Sequence, residues 1–105
     1  MVEGSGNVFA DLELPDPENA LSKARLADTI GAILERAGLT QSRAAKLLGT
    51  DQGTVSKLVS GRLDGFSQER LIRYLTLLGC DVEITVRPAS GEEGSPGRVS
   101  VGTAT

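Results

Sequence analysis

The segment of residues 40–61, TQSRAAKLLGTDQGTVSKLVSG, limits the possible folds of this chain more than any other part of it. Thr40 precedes a run that favours helix, and its hydroxyl can accept a hydrogen bond from the free N–H groups of a first helical turn. Gly49 follows this run, and glycine adopts at the least cost the positive φ on which many helices end. Asp51 can cap a second run in the same way. The segment therefore predicts two short helices joined by a tight turn.

Small and apolar residues recur in this segment at the spacing that two crossing helices require. Ala45 falls where the helices would pass closest, a point that admits only a small side chain. The predicted buried faces comprise Ala44, Ala45, Leu47 and Leu48 in the first helix and Val55, Leu58 and Val59 in the second. The anchor positions of the helix-turn-helix motif are occupied by Gln41, Ala45, Gly49, Val55 and Leu58. An ordinary helical hairpin is the alternative, but the full set of anchors favours a motif whose second helix enters the major groove of DNA.

Further helical patterns flank the motif. Pro17, behind Asp16, suits the first position of a helix, where its missing N–H is not needed, and Gly38 ends that helix. The predicted core stripe of this helix is Leu26, Ile30, Ile33, Leu34 and Ala37. After the motif, Ser67 caps a helix over 68–78 whose predicted inward residues are Leu71, Ile72, Leu75 and Leu78. The expected fold class is mainly α, a small repressor-like helix-turn-helix domain of roughly four to five helices over residues 16–88.

A C-terminal β-strand is predicted after the last helix. In CDVEITVR, Val82, Ile84 and Val86 alternate with polar residues, which is typical of a half-buried strand. A lone strand leaves backbone donors and acceptors unpaired, so it needs a partner. We expect antiparallel pairing with the same strand of a second subunit, which would give a two-fold dimer. The alternation over residues 7–14 offers a competing partner within the same chain, and the sequence leaves this choice open.

Charge is distributed unevenly along the chain. The net charge is −3, yet residues 1–20 carry −5 and residues 39–62, which contain the motif, carry +3. Local charge governs contacts with phosphates, so the acidic total does not exclude DNA as a partner. We expect residues 1–15 to form a flexible acidic segment and residues 89–105 to form a mobile tail.

Several function classes are excluded by what the sequence lacks. It has no histidine, so no His-based triad or proton shuttle can form, and the single cysteine, Cys80, can form neither an internal disulfide nor a zinc-binding pair. GxGxxG and P-loop patterns are both absent. We therefore expect no enzyme, cofactor, metal site or small-molecule substrate. No apolar run approaches the length of a membrane span and the N-terminus is acidic rather than signal-like, so a cytoplasmic protein with no membrane partner is expected.

The segment TQSRAAKLLGTDQGTVSKLVSGR resembles the helix-turn-helix of the phage repressor and Cro superfamily, also called the XRE family. The flanks DGFSQERLIRYLTLLGCDVEITVRP and GNVFADLELPDPEN resemble those of small HigA-type antitoxins, so the resemblance extends over roughly residues 6–88. It implies a homodimer that binds a double-stranded DNA operator ahead of its own operon. It also implies a protein partner, a RelE/HigB-type ribonuclease toxin that the chain neutralises.

The resemblance further implies roles for residues of the motif. Gln41 would donate to a phosphate, and Gln52 would read a base edge, since a glutamine amide can pair with N6 and N7 of adenine. Gly53 stands where many phage repressors carry a longer polar side chain, which implies either narrower specificity or a closer approach to the duplex. The implied DNA-binding residues are Gln41, Arg43, Gln52, Gly53, Thr54, Ser56, Lys57 and Arg62.

The acidic N-terminal segment is the expected toxin-binding site, because acidic and apolar side chains together suit the basic surface of a ribonuclease. Its expected contact residues are Val8, Phe9, Leu12 and Leu14. Two other functions stay open at this point. One is a stand-alone XRE-type repressor of phage or plasmid origin without a toxin, and the other is an interaction module that kept the fold and lost DNA binding.

Overall fold

The computed structural model describes residues 17–89 and 97–102, and within them the chain is helical from residue 17 to residue 77 apart from short connections. The helices are α1 (Pro17–Arg36), α2 (Gln41–Leu48), α3 (Gln52–Val59) and α4 (Gln68–Leu77). The helices predicted from the sequence are confirmed, and α1 and α4 each end one residue earlier than predicted. The predictions for residues 1–15 lie outside the described residues.

The ends of the short helices follow from local hydrogen bonds. The side chains of Thr40, Asp51 and Ser67 accept hydrogen bonds from the backbone N–H three residues ahead, at 3.1, 2.7 and 3.0 Å. Each cap satisfies one of the N–H groups that a helix start leaves free. Gly49 ends α2 at a φ of 71°, in the left-handed region, where its N–H donates to carbonyls of the last turn. The turn between α2 and α3 is therefore encoded by Gly49 and Asp51.

The core lies where all four helices meet. Helix α1 packs along α4 and against α3, while α2 crosses α3 and contacts α4. Ile30, Val55 and Leu71, from α1, α3 and α4, are wholly inaccessible to solvent and join these helices at the centre. Ala45 is buried where α2 contributes to the same cluster, as its small size predicted. This core holds α2 and α3 in a fixed relation, which is the requirement for a helix-turn-helix motif to work as a unit.

Three residues predicted to be buried are exposed instead. Leu47 of α2 and Val59 of α3 keep 48% and 43% of their accessible surface. Each neighbours a buried leucine in sequence, and adjacent helical positions point about 100° apart, so the leucine takes the inward direction and its neighbour turns away. Val59 is also the last residue of α3 and borders an open groove beside α1. Ala37 is exposed because it follows the end of α1.

The structure contains no β-strand in residues 17–89 or 97–102, so the predicted strand over residues 81–87 is not confirmed. Val82 packs partly buried against the helical core, whereas Ile84 and Val86 are 75% and 89% exposed. A strand would put these three side chains on one face. In the structure only Val82 packs against the core, and the other two side chains stay largely open to solvent.

Residues 97–102 return to the first helix. The hydroxyl of Ser22, which is buried, donates to the carbonyl of Val99 at 3.2 Å. The Nη1 of Arg25 donates to the carbonyl of Val101 at 2.9 Å, and Val101 packs against the helical core. These contacts were not predicted from the sequence. The prediction of a mobile tail over residues 89–105 concerns motion, which contacts alone do not measure, so it stays a prediction.

Candidate nucleic-acid interface

Helix α3 turns one face inward and leaves a polar face open. Val55 and Leu58 are buried against the other helices. On the remaining surface Gln52, Gly53 and Lys57 are exposed, and Thr54 and Ser56 are half-buried. A helix that is anchored on one side and polar on the other can present the polar side to a groove of DNA. The structure therefore brings together the residues of α3 to which the sequence assigned DNA contacts.

The two motif helices are joined at their first residues. The Nε2 of Gln52 donates to the Oε1 of Gln41 at 2.5 Å. Gln52 is exposed and Gln41 is half-buried. The hydrogen bond holds the amides of α2 and α3 side by side at the solvent edge of the motif. It also fixes the direction of the Gln52 amide, a group that otherwise rotates freely at an exposed helix start.

Positive charge surrounds the start of α3. The pKa of the Asp51 carboxyl is lowered from its ordinary value of 3.8, first because the Thr54 backbone N–H and then its hydroxyl donate to the carboxylate. The nearby charges of Lys57 and Arg70 lower the pKa of Asp51 further. The helix end itself adds a partial positive charge at the same place. One carboxylate thus caps the helix, while two side-chain cations lie close enough to it to affect its ionisation.

The two arginines expected to contact the DNA backbone lie on either side of α3 in sequence, and both are exposed. Arg43 lies in the first turn of α2, where its N–H binds the cap of that helix. Arg62 follows α3, and its N–H donates to the Lys57 carbonyl at 2.9 Å. Both side chains are therefore presented from backbone that hydrogen bonds hold in place.

Gly53 does not have the backbone conformation that requires glycine, since it is absent from the residues with positive φ. Apart from its chain neighbours and the backbone of the helix, the nearest heavy atom to a Cβ added at this position would be the Oδ1 of Asp51, at 3.4 Å. That is an ordinary contact distance. The fold therefore has room for a Cβ at this position, and neither backbone conformation nor space requires glycine there.

Arg70 has an aromatic environment that was not predicted from the sequence. Its guanidinium carbon lies 4.8 Å from the centroid of the Phe66 ring and 5.5 Å from that of Tyr74. The spacing of FSQERLIRY, in which an arginine lies four residues from each of two aromatics, is the signal that could have identified it.

Of the remaining predicted site residues, those for dimerisation are described by the structure and those for toxin binding are not. Val82 is half-buried and Ile84 and Val86 are exposed, as described above. The predicted toxin-binding residues, Val8, Phe9, Leu12 and Leu14, lie outside the described residues.

In the described part of the chain, no group of His, Cys, Asp or Glu side chains is arranged to hold a metal ion. None of the helices found there combines the length and the apolar character that a bilayer-spanning helix needs.

Comparison with known proteins agrees with this geometry. The family described as a helix-turn-helix domain matches residues 8–87. A solved structure described as an XRE family transcriptional regulator is similar with a TM-score of 0.75 and 42% sequence identity, over 86% of this chain and 100% of the other. No curated protein matches the chain. Regulators of this kind are typically not enzymes. The chain belongs to the helix-turn-helix family and is an XRE-type, DNA-binding transcriptional regulator.

Proposed function

We propose that this regulator is a sequence-specific repressor of its own operon and the antitoxin of a RelE/HigB-type toxin, working in the cytoplasm as a homodimer. The observation that carries the DNA-reading part is the joined pair of amides, Gln41 and Gln52, at the open edge of the motif. The antitoxin part is supported by the resemblance of the segments on both sides of the motif to HigA-type antitoxins.

The chemistry of the amide pair suits simultaneous base and phosphate contacts. After donating one hydrogen to Gln41, the Gln52 amide keeps a second N–H and its own oxygen. Adenine presents an acceptor, N7, and a donor, N6, side by side in the major groove, so Gln52 can bind both without releasing Gln41. The Gln41 NH₂ group keeps its hydrogens for a phosphate oxygen. A base contact and a backbone contact would thus be set at one fixed spacing.

The other proposed DNA contacts surround this pair. Thr54 and Lys57 lie three positions apart on α3, on the same side of the helix, and would reach bases or phosphates, while half-buried Ser56 is a weaker candidate. Arg43 and Arg62 are exposed on either side and would contact the backbone of the duplex. The electrostatic part of DNA binding depends on such phosphate contacts, and a pair of motifs in a dimer would double their number.

The proposed dimer would cover apolar surface that one subunit leaves open. Ile84, Val86 and Val99 are 75%, 89% and 57% exposed, in two segments that follow the last helix and have no regular secondary structure. The segments approach each other, because a Cβ on Gly97 would lie 3.8 Å from that of Ala89. We propose that a second copy of the chain pairs antiparallel with residues 81–87. Pairing with residues 7–14 of the same chain is the competing arrangement, and oligomeric mass separates the two.

The DNA-reading proposal is tested with the region upstream of the chain's own gene. Replacing Gln52 with alanine should weaken operator binding by roughly 1–3 kcal/mol and relax discrimination at one base position. Fluorescence anisotropy with duplexes altered at one base pair at a time measures both effects. Arg73→Ala, an exposed change on α4, is the matched control. Unchanged affinity and unchanged discrimination in the Gln52 variant would show that α3 does not read bases in this way.

The toxin-binding proposal is tested separately. Deleting residues 1–15 should leave operator binding nearly intact and weaken neutralisation of the toxin encoded beside this gene, measured by growth rescue and by co-purification. Equal loss of both activities in a folded variant contradicts a separate toxin-binding segment. If the neighbouring gene encodes no small basic protein that co-purifies with the chain, the stand-alone repressor is the better assignment.

A further inference from the structure

A groove of about 690 Å³ lies between α1 and the last residues of α3, beside the start of α2. The buried side chains of Val55 and Leu58 line it, and so does Val59, which keeps 43% of its surface exposed. The groove therefore leaves apolar surface open next to the helix-turn-helix motif. Apolar surface that is open to solvent and bordered by polar residues is typical of a site that binds another molecule.

The charged side chains in this groove all have one sign. Among the described residues that line it, Asp28 and Glu35 of α1 are acidic and none is a lysine or an arginine. Both side chains are exposed, and neither carboxylate has a hydrogen-bond or ion-pair partner in residues 17–89 or 97–102. The two residues are seven positions apart, which puts them on the same side of α1 at about 10 Å along its axis. Two cationic groups at a similar spacing can therefore pair with both.

The part of α1 between the two carboxylates carries little side-chain bulk, since Gly31 and Ala32 line the groove there. Gly31 does not have a positive φ. Apart from its chain neighbours and the backbone of the helix, a Cβ built on Gly31 would have no heavy atom within 4 Å. Neither backbone conformation nor space requires glycine here, although glycine inside a helix is less stable than alanine. A helix surface without bulky side chains lets a second chain approach closely.

The sign of the charge decides which molecule suits the groove. Residues 1–20 of the chain carry −5, so they are repelled from Asp28 and Glu35, as are the phosphates of a duplex. A second copy of the chain has a net charge of −3 and gains no overall attraction from this acidity. A basic protein is attracted, and the ribonuclease toxin proposed above, with its basic surface, is a partner of that kind.

We propose that this groove is a docking surface for a basic segment of the toxin, whose lysine or arginine side chains pair with Asp28 and Glu35 while its apolar side chains cover Val59. The inference rests on the proposed antitoxin function and adds a second contact surface to residues 1–15. Because both surfaces belong to one chain, binding at one raises the effective concentration of the toxin at the other. Gln41 also lines the groove, so the toxin would lie beside the amide pair that we propose reads DNA.

The charge of the groove is tested in the full chain, with the purified toxin encoded beside this gene as the ligand and Kd measured by isothermal titration calorimetry. Asp28→Asn with Glu35→Gln removes the carboxylates of the groove, and Asp64→Asn with Glu69→Gln, the control, removes two exposed carboxylates outside it. Loss of two exposed ion pairs should raise Kd by about 2- to 30-fold in the groove variant and less in the control. The dependence of Kd on salt concentration should also become weaker in the groove variant.

A second pair of variants separates docking in the groove from long-range attraction. Ala32→Arg places a bulky cation on the groove wall, whereas Ala37→Arg adds the same charge at an exposed position that does not line the groove. If the toxin enters the groove, Ala32→Arg should raise Kd by about tenfold or more, and Ala37→Arg should change it less. Circular dichroism shows whether each variant is folded. If one pair does not fold, the other pair is read with the same criterion.

Equal Kd values in the groove variants and their controls overturn the inference. A groove variant that changes the oligomeric mass of the free chain also overturns it, because the groove would then bind a second copy. Failure of the proposed function is distinguishable, since the unmodified chain would then not bind the toxin at all. If the unmodified chain binds the toxin and only deletion of residues 1–15 weakens binding, the toxin uses the N-terminal segment alone and the assignment of the groove is wrong.

Discussion

Replacing each of two glycines with alanine should change stability in opposite directions, although the glycines are only four residues apart. Gly53 lies in the second position of α3 with a negative φ and has room for a Cβ, whose nearest neighbour would be the Asp51 carboxylate at 3.4 Å. Gly49 has an equally open surrounding but a φ of +71°. The space available for a Cβ therefore does not distinguish the two sites. Backbone conformation alone decides whether alanine raises or lowers the stability.

The magnitudes follow from that difference. Alanine is better than glycine in a helix by roughly 0.5–1 kcal/mol, so Gly53→Ala should raise the free energy of unfolding by that amount. An L-residue in the left-handed region costs about 1–2 kcal/mol, so Gly49→Ala should lower it by that amount. In a domain of this size, 1 kcal/mol moves Tm by about 4–8 °C. The two variants should therefore differ in Tm by roughly 6 °C or more.

Thermal unfolding followed by circular dichroism measures both variants under the same conditions. A Gly53→Ala variant that is less stable than the unmodified chain would refute the reasoning, since the backbone at this position would then require glycine. Operator binding by the same variant answers a second question. If the more stable protein binds more weakly, the missing side chain at position 53 serves close approach to the duplex. If the variant binds equally well, close approach is not the reason for the glycine, and its only effect is that no side chain at position 53 reaches a base.

Two further predictions concern the C-terminal segment and the cap of α3. If the chain forms the proposed dimer, Ile84→Asp should convert it to a monomer while the helices stay folded, because the charge would fall on the proposed pairing face. Native mass spectrometry checks this, and an unchanged oligomer contradicts strand pairing. Because the pKa of Asp51 is lowered in the folded state, its contribution to stability is complete above 3.8 and is lost as the pH falls through the folded-state value. Asp51→Asn keeps a capping oxygen that does not titrate, so the stability of this variant should fall less steeply with acid than that of the unmodified chain. Identical acid titrations of the two proteins would show that Asp51 does not contribute to the pH dependence of stability.

Local signals explain why the helices could be predicted. Thr40, Asp51 and Ser67 cap helices through hydrogen bonds that span three residues, and Gly49 ends one through its own φ. Such interactions are contained within a single turn, so both partners are close in sequence and the pattern can be recognised from the sequence alone. The match between predicted and observed helices follows from this.

The misses share a different cause, which is dependence on distant parts of the molecule. Leu47 and Val59 are apolar and lie beside buried residues, and only the arrangement of neighbouring helices determines that they stay exposed. The spacing of FSQERLIRY indicates the contacts of Arg70 with two aromatic rings, but the burial of Phe66 and Tyr74 depends on how the helices pack together. The strand predicted over residues 81–87 is not found in the described chain, and its formation would depend on a pairing partner that local alternation does not reveal.

The return of residues 97–102 to the first helix has a consequence for the order of folding. Ser22 and Val99 are 77 positions apart in sequence, and Arg25 and Val101 are 76 apart. Contacts that close so long a loop gain little until the elements between them are assembled. We therefore expect this closure to form late, after the four-helix core, and to be among the first parts to open in the native protein. Amide hydrogen exchange should show the carboxyl end losing protection while Ile30, Val55 and Leu71 still hold the helices together.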